Sequence, residues 1–278
     1  MPYYIKDSNY PHIIIKEIKR EEYEVVEEFS KFFRLYEGVT FAYANYWNSL
    51  NHYNEFMEYF KTSKNSLSLN KVQNQAIYPI TSVIIFLNTF IDNTKNFNST
   101  IESTKIKSKI QELNKLESIK ILRAVRNYAI HASIPVKGAL RQINLMTDEE
   151  KYEFFIEKIT LIDNKPNRND LKNLKNLATN KIVLNHMIDE VTDNLESLSL
   201  KTLEEFLNFI PSDVKSIFYK YVRFYKTSDG SEYFANSFVK SEEDGKTNRG
   251  TSYITKETIY FDPGILELVV SQIHSNMD

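Results

Sequence analysis

Cysteine is missing from all 278 residues. That excludes disulfide bridges, thiolate nucleophiles and cysteine-ligated zinc, and it fits a reducing compartment. Glycine is scarce. The six, at positions 38, 138, 230, 245, 250 and 264, form neither G-x-G-x-x-G nor a Walker A loop, which counts against nucleotide hydrolysis. There is no G-x-S-x-G nucleophile elbow. Of five histidines, His12, His52, His186 and His274 are scattered without metal-ligand spacing such as H-E-x-x-H. They read as surface or internally satisfied polar residues. The acidic pairs Glu21-Glu22, Glu27-Glu28 and Glu242-Glu243 read as solvated charge, so the carboxylate cluster of a metal-dependent nuclease is not found. No metal and no cofactor is expected.

Long apolar runs are lacking too. The most apolar, residues 83–87, is far shorter than the ~20 residues of a membrane span. The start, Met1-Pro2-Tyr3-Tyr4-Ile5-Lys6, has no basic segment followed by an apolar core, as a signal peptide would. A soluble, cytoplasmic protein with no membrane contact is the expectation. The formal net charge is only −2, so no global field recruits nucleic acid.

What the chain does have is an ordinary globular composition, 42% hydrophobic and 26% charged, and enough length for a substantial core. Lysine outnumbers arginine 27 to 8. Three of those arginines, Arg123, Arg126 and Arg141, nevertheless fall close together, joined by Lys120 and Lys137. Arginine is the side chain suited to bidentate phosphate contact, so a local cationic cleft on a near-neutral protein is one reading. A randomly basic helix end is the other.

Periodicity predicts a mainly α protein. A short strand is expected over 12–18 and a helix over 21–36, punctuated by Gly38. A strongly aromatic helix follows over 41–60, its aromatics at three- and four-residue spacing and therefore core or interface. After a polar loop at 62–68, a long apolar helix over 69–97 is expected to kink at Pro79. Its run at 84–87 marks it as central and buried. Asn88 and Asp92 then share a face, either as polar support for a nearby site or as a helix emerging into solvent. Residues 99–109 read as a loop or weak helix and 113–132 as a helix.

The period then changes. A β-hairpin is expected over 137–163 with its turn at 147–150, the second half being readable as helix as well. Residues 164–170 look like a linker, and helical spacing resumes over 171–195 and 200–209, ending at Pro211. Beyond it, 218–225 and 233–239 read as strands flanking an Asp229-Gly230 turn. A charged loop over 241–250 and a strand over 251–261 follow. Asp262-Pro263 then opens a final helix as N-cap and first helical residue. The resulting expectation is a helical domain over 1–211 with an inserted hairpin, and a small α+β appendage over 212–278 that is either separate or part of one domain.

The most informative stretch is Leu122-Arg123-Ala124-Val125-Arg126-Asn127-Tyr128-Ala129-Ile130-His131, an amphipathic helix ending in Arg-Asn-x-x-x-His just before Pro135. At about 100° per residue, Asn127 and His131 lie roughly 40° apart while Arg126 lies about 140° from His131. One helix does not aim Arg126 and His131 at one atom. Two copies facing each other would.

That string resembles the Arg-x4–6-His motif of the HEPN superfamily (higher eukaryotes and prokaryotes nucleotide-binding domains), in its Arg-Asn-x3-His form. The likeness rests on Arg126, Asn127 and His131, on Ile119, Ile121, Leu122 and Val125 before them, and on Ser133-Ile134-Pro135-Val136 after. It implies a HEPN-like helical bundle. Many members are metal-independent endoribonucleases in which paired motifs from two subunits line one cleft, and others are non-catalytic binding modules. RNA as substrate, a homodimer, and a toxin or antiviral-defence role with a possible antitoxin or regulatory partner are implied in turn. Some HEPN toxins carry a tyrosine two positions after the motif histidine, modified by a nucleotidyltransferase antitoxin. Here that position is Ser133, so that particular partner is not implied.

The chemistry expected of these side chains is specific. Histidine titrates near neutrality and can serve as general acid or base, so His131 takes the proton-transfer role. Arg126 clamps the phosphate and the charge that develops on it. Asn127 orients His131 or donates to a phosphate oxygen. Arg123, Lys120, Lys137 and Arg141 are the expected substrate-binding cations, with Asn88, Asp92 and Ser133 as supporting polar groups. The alternatives are a non-catalytic HEPN module binding nucleotide, RNA or a protein, and an all-helical interaction protein in which the motif is incidental. The 212–278 segment is the expected gate or partner surface.

Overall fold

The structure, a computed structural model, describes residues 2–10, 14–62, 68–143, 146, 150–226, 230–247 and 250–275. His12, most of the 62–68 loop, and the expected turns at 147–149 and 227–229 lie outside the described residues. In chain order the first elements are β1 (Tyr3–Lys6), β2 (Ile14–Ile18), α1 (Arg20–Thr62), α2 (Leu69–Ile101), α3 (Thr104–Lys115) and α4 (Glu117–His131). Next come β3 (Gly138–Ile143), β4 (Glu150–Glu157), α5 (Lys158–Asp163), α6 (Arg168–Asn176), β5 (Lys181–Val183) and α7 (Leu184–Phe209). The last are α8 (Ser212–Tyr221), β6 (Phe224–Lys226), β7 (Glu232–Phe234), β8 (Ser237–Thr247), β9 (Gly250–Tyr260) and α9 (Pro263–Ser275). The fold is mainly α, as periodicity predicts.

Two compact units share the chain: Met1–Glu37 together with Glu204–Asp278, and Gly38–Leu203. This differs from the expected boundary at 211. The reason is strand pairing: β1 lies between β2 and β8 in a four-stranded antiparallel sheet of order β2-β1-β8-β9. Residues 212–278 are therefore not an appendage to a domain holding residues 3–18. They complete its sheet.

In the unit 38–203, helices α2, α3, α4 and α6 pack around one core. Val83, Ile84, Leu87, Phe90 and Ile91 of α2 are buried, but Ile85 and Phe86 are only partly so, so α2 is central with one less-covered side. The helix continues through Pro79. By length and mean hydropathy α2 alone among the described residues could cross a membrane, yet half of that apolar window is buried inside the protein, as in a core helix. Tyr46, Leu50 and Tyr53 on α1 are core residues, and Tyr46 Oη shares a 2.8 Å hydrogen bond with Thr192 Oγ1 of α7.

Several local expectations change. Gly38 does not end a helix, because α1 runs unbroken for 43 residues. Residues 104–115 form a full helix whose N-cap Ser103 accepts the Ile106 N–H. The motif helix starts later than residue 113, since Leu116 is extended and separates α3 from α4. The hairpin β3–β4 forms as expected. It gains a third strand, β5, from a stretch read as helix, and its second half turns helical at Lys158. Gly138 sits opposite Phe155, where an added Cβ would fall 2.3 Å from the ring.

In the unit of residues 1–37 and 204–278 the core is aromatic. Tyr36 stacks on Phe206 with centroids 3.9 Å apart and planes 5° from parallel, and Phe33 meets Phe261 edge-on at 4.8 Å. Such pairs contribute ~0.5–1.5 kcal/mol each beyond the area they bury. Residues 218–221 are helical and not the expected strand, because Val214, Ile217, Phe218 and Tyr221 bury one face at i, i+3, i+4 and i+7. Nor is the charged 241–250 stretch a loop over its described residues: 241–247 belong to β8 and Gly250 begins β9, two strands cross-linked by Lys240–Glu257 at 3.2 Å and Lys256–Glu242 at 2.8 Å. Asp262 caps α9 as expected, its carboxylate accepting the Ile265 N–H at 3.0 Å, and Val269 and Ile273 join the core.

Candidate functional site

Helix α4 buries Ile119, Ile121, Leu122, Ala124, Val125 and Tyr128, which fixes its rotation and decides where the motif side chains point. Asn88, 1% exposed, braces it from α2: its amide donates to Ile84 O at 2.8 Å and more weakly to Leu122 O at 3.5 Å. Asn88 is thus internal support and not a residue emerging into solvent. The helix stops where Ala132 and Ser133 N–H both turn back to Tyr128 O, ahead of Pro135, which disfavours helical geometry in the residue before it.

Arg126 Nη2 donates to Asp92 Oδ2 on α2 at 2.8 Å. Asp92 also accepts from Lys95 at 3.2 Å. The Arg126 side chain is one-quarter exposed, and its Nε is buried with no hydrogen-bond partner among the described residues. Asn127 projects to a different neighbour: its amide donates at 3.0 Å to Asp170 Oδ2 on α6. Asp170 is 4% exposed and takes a second donor, Asn167 Nδ2, at 2.7 Å. His131 is the last residue of α4 and is exposed, with no hydrogen bond or ion pair to the described residues.

Around that helix end, Lys137 Nζ lies 3.1 Å from Ser133 Oγ and 5.6 Å from the centroid of the Tyr128 ring. The structure therefore brings together Arg126 with Asp92, and Ser133 with Lys137. It does not gather all the expected cations. Lys120 turns toward the start of α4, bonding Lys115 O at 3.1 Å, and Arg123 bonds Asn114 Oδ1 at 3.0 Å. At 1.5 Å per residue these two lie about 16 and 12 Å along the axis from His131. Arg141 stands exposed on β3 opposite Tyr152.

Sequence reasoning missed Asp170, the partner of Asn127. Its signal was present in 167–170, read as linker: Asn167 is an N-cap whose side chain accepts the Asn169 and Asp170 N–H groups, with an acidic residue three positions on. Among the described residues no group of three or more His, Cys, Asp or Glu could hold a metal ion. Chemically, the end of α4 offers an exposed imidazole and an ammonium beside a hydroxyl, and one turn earlier a guanidinium held by a carboxylate. No family model, curated protein or solved structure matches the chain.

Proposed function

We propose that this chain is a metal-independent endoribonuclease of the HEPN type, acting in the cytosol as a toxin or antiviral-defence effector. The observation that carries the reading is the state of His131. It is exposed at the end of α4 with no hydrogen bond or ion pair to the described residues, while Arg126 and Asn127, five and four residues before it, are held by Asp92 and Asp170. The RNA 2′-oxygen attacks the adjacent phosphorus and the 5′-oxygen leaves. His131 takes the proton of the 2′-hydroxyl, the partner's His131 gives one to the leaving 5′-oxygen, and Arg126 stabilises charge on the phosphoryl oxygens. The products are a 2′,3′-cyclic phosphate and a 5′-hydroxyl. Because Arg126 and His131 diverge by about 140° on one helix, the complete site is assembled in a homodimer with two α4 helices at the twofold seam.

A second reading has its own support. Arg126 already has a carboxylate partner, so a non-catalytic module in which the motif ties α4 to α2 is the alternative.

The test is incubation of the full chain with labelled RNA in EDTA, with end-group analysis of fragments. Cleavage of RNA but not DNA is expected. His131→Ala should lower the rate 10²–10⁴-fold, the usual loss for a general acid or base, and leave the circular dichroism spectrum unchanged. Wild-type cutting by that variant, or no cutting by any preparation, favours the second reading. Sedimentation of an active monomer at micromolar concentration would remove the dimer.

A further inference from the structure

Helix α6, in the same unit as the motif helix, divides sharply by face. Asp170 and Leu174 are buried, Asp170 against Asn127 of α4, so that face is turned inward. Arg168, Lys172 and Lys175 fall at i, i+4 and i+7, one stripe roughly 140–160° round the helix from Asp170. All three are exposed, and Lys165 just before the helix is a fourth exposed cation. None of the four side chains has a hydrogen bond or ion pair to the described residues.

The stripe works against the stability of its own helix. Like charges at i, i+4 repel, and Arg168 at the first helical position opposes the helix dipole. Asp170, the only carboxylate on α6, is turned away and accepts from Asn127 and Asn167. Of the helices packed on α6, α4 carries one carboxylate, Glu117 at its far end, and α5 one, Asp163. Amides stand between the cations, at Asn169, Asn173 and Asn176. On a chain of formal net charge −2, a helix face of this single sign is complementary to a polyanion.

We propose that this face of α6 binds the phosphate backbone of a single RNA strand. The choice of RNA among polyanions rests on the ribonuclease reading of α4, although the site uses no motif residue. Arg168 grips a phosphate with its planar fork, Lys172 and Lys175 meet phosphates as point charges, and the amides donate to phosphate or ribose oxygens. The stripe runs about 10 Å along the axis and lies about one helix width from Asn127. It therefore holds phosphates that flank the scissile one and leaves the chemistry to α4.

Fluorescence anisotropy of a labelled oligouridylate tests it on the full chain carrying His131→Ala, so that binding is read without turnover. Arg168→Gln, Lys172→Gln and Lys175→Gln are combined, and compared with Lys19→Gln, Lys31→Gln and Lys215→Gln, which remove the same charge from the other unit. The α6 variant should bind at least about tenfold more weakly and lose about two to three from the log–log salt slope, near one per phosphate contact. Its melting temperature should equal or exceed the parent's, since the like-charge stripe is gone. If it does not fold, Lys172→Gln alone, with a slope loss of about one, decides. With His131 restored, the α6 variant should raise KM and keep kcat. RNA held through α6 but never cut upholds this site and removes the ribonuclease; RNA bound and cut equally by the α6 variant does the reverse. No saturable RNA binding, an equal loss in the two triple variants, or displacement of RNA by polyglutamate at equal charge overturns the proposal.

Discussion

Asn127 on α4 and Asp170 on α6 are joined by a 3.0 Å hydrogen bond, and Asp170 is almost wholly enclosed. The motif asparagine thus holds a buried carboxylate that has one other side-chain donor, Asn167. Asn127→Ala should destabilise the protein by ~1–3 kcal/mol, the cost of leaving a buried acceptor short of a donor. Asn127→Asp should cost more, because two carboxylates then face each other. Urea unfolding of both variants measures this. Wild-type stability in Asn127→Ala would release the residue from its bracing role and return it to substrate.

Glu37 accepts the Asp262 N–H at 3.0 Å. Burial pushes its carboxyl above the ordinary value; the Asp262 N–H works against that, the Asp262 charge adds to it, and Arg34 opposes it. The folded state therefore holds this proton more tightly than the unfolded chain. Stability from that preference is present below the unfolded carboxyl value and is lost as pH rises through the folded one. Glu37→Gln keeps the acceptor and removes the ionisation. Its melting temperature should match wild type near pH ~4 and exceed it by pH ~7, where the native carboxylate is charged. A constant gap across that range would count against the assignment.

Gly38 lies inside α1, and an added Cβ there would meet Asn93 Nδ2 at 3.6 Å, an ordinary contact. Asn93 holds the Gly38 carbonyl at 2.7 Å, a bond to backbone that any residue can accept. Gly38→Ala should stabilise by about 0.5–1 kcal/mol through helix propensity and a less flexible unfolded chain. A loss of stability in thermal melts would show that this site requires glycine.

Where one face of an element sees one core, the sequence was readable. The apolar stripes of α2 and α4, the Asp262 cap of α9 and the β3–β4 hairpin all follow from local pattern. Tertiary context decided the rest. Gly38 reads as punctuation, but one glycine costs a long helix only ~1 kcal/mol and packing on both sides overrides it. Phe218 to Tyr221 have strand propensity, yet their burial spacing is helical. At the site, the order Arg126, Asn127, His131 was visible. The partners Asp92 and Asp170 lie 34 and 43 residues away, a separation local periodicity does not encode.

The place of β1 between β2 and β8 sets an order of events during synthesis. Lys6 pairs with Ser237, so β1 has no second neighbour until more than two hundred further residues have been made. At 5–20 residues per second that wait is roughly ten to fifty seconds. The unit 38–203 is contiguous and carries the motif helix, so it emerges whole while β1 still presents an open edge to its surroundings. Such an edge is a template for strand addition. The length of time that edge stays open is thus fixed by the topology of the sheet.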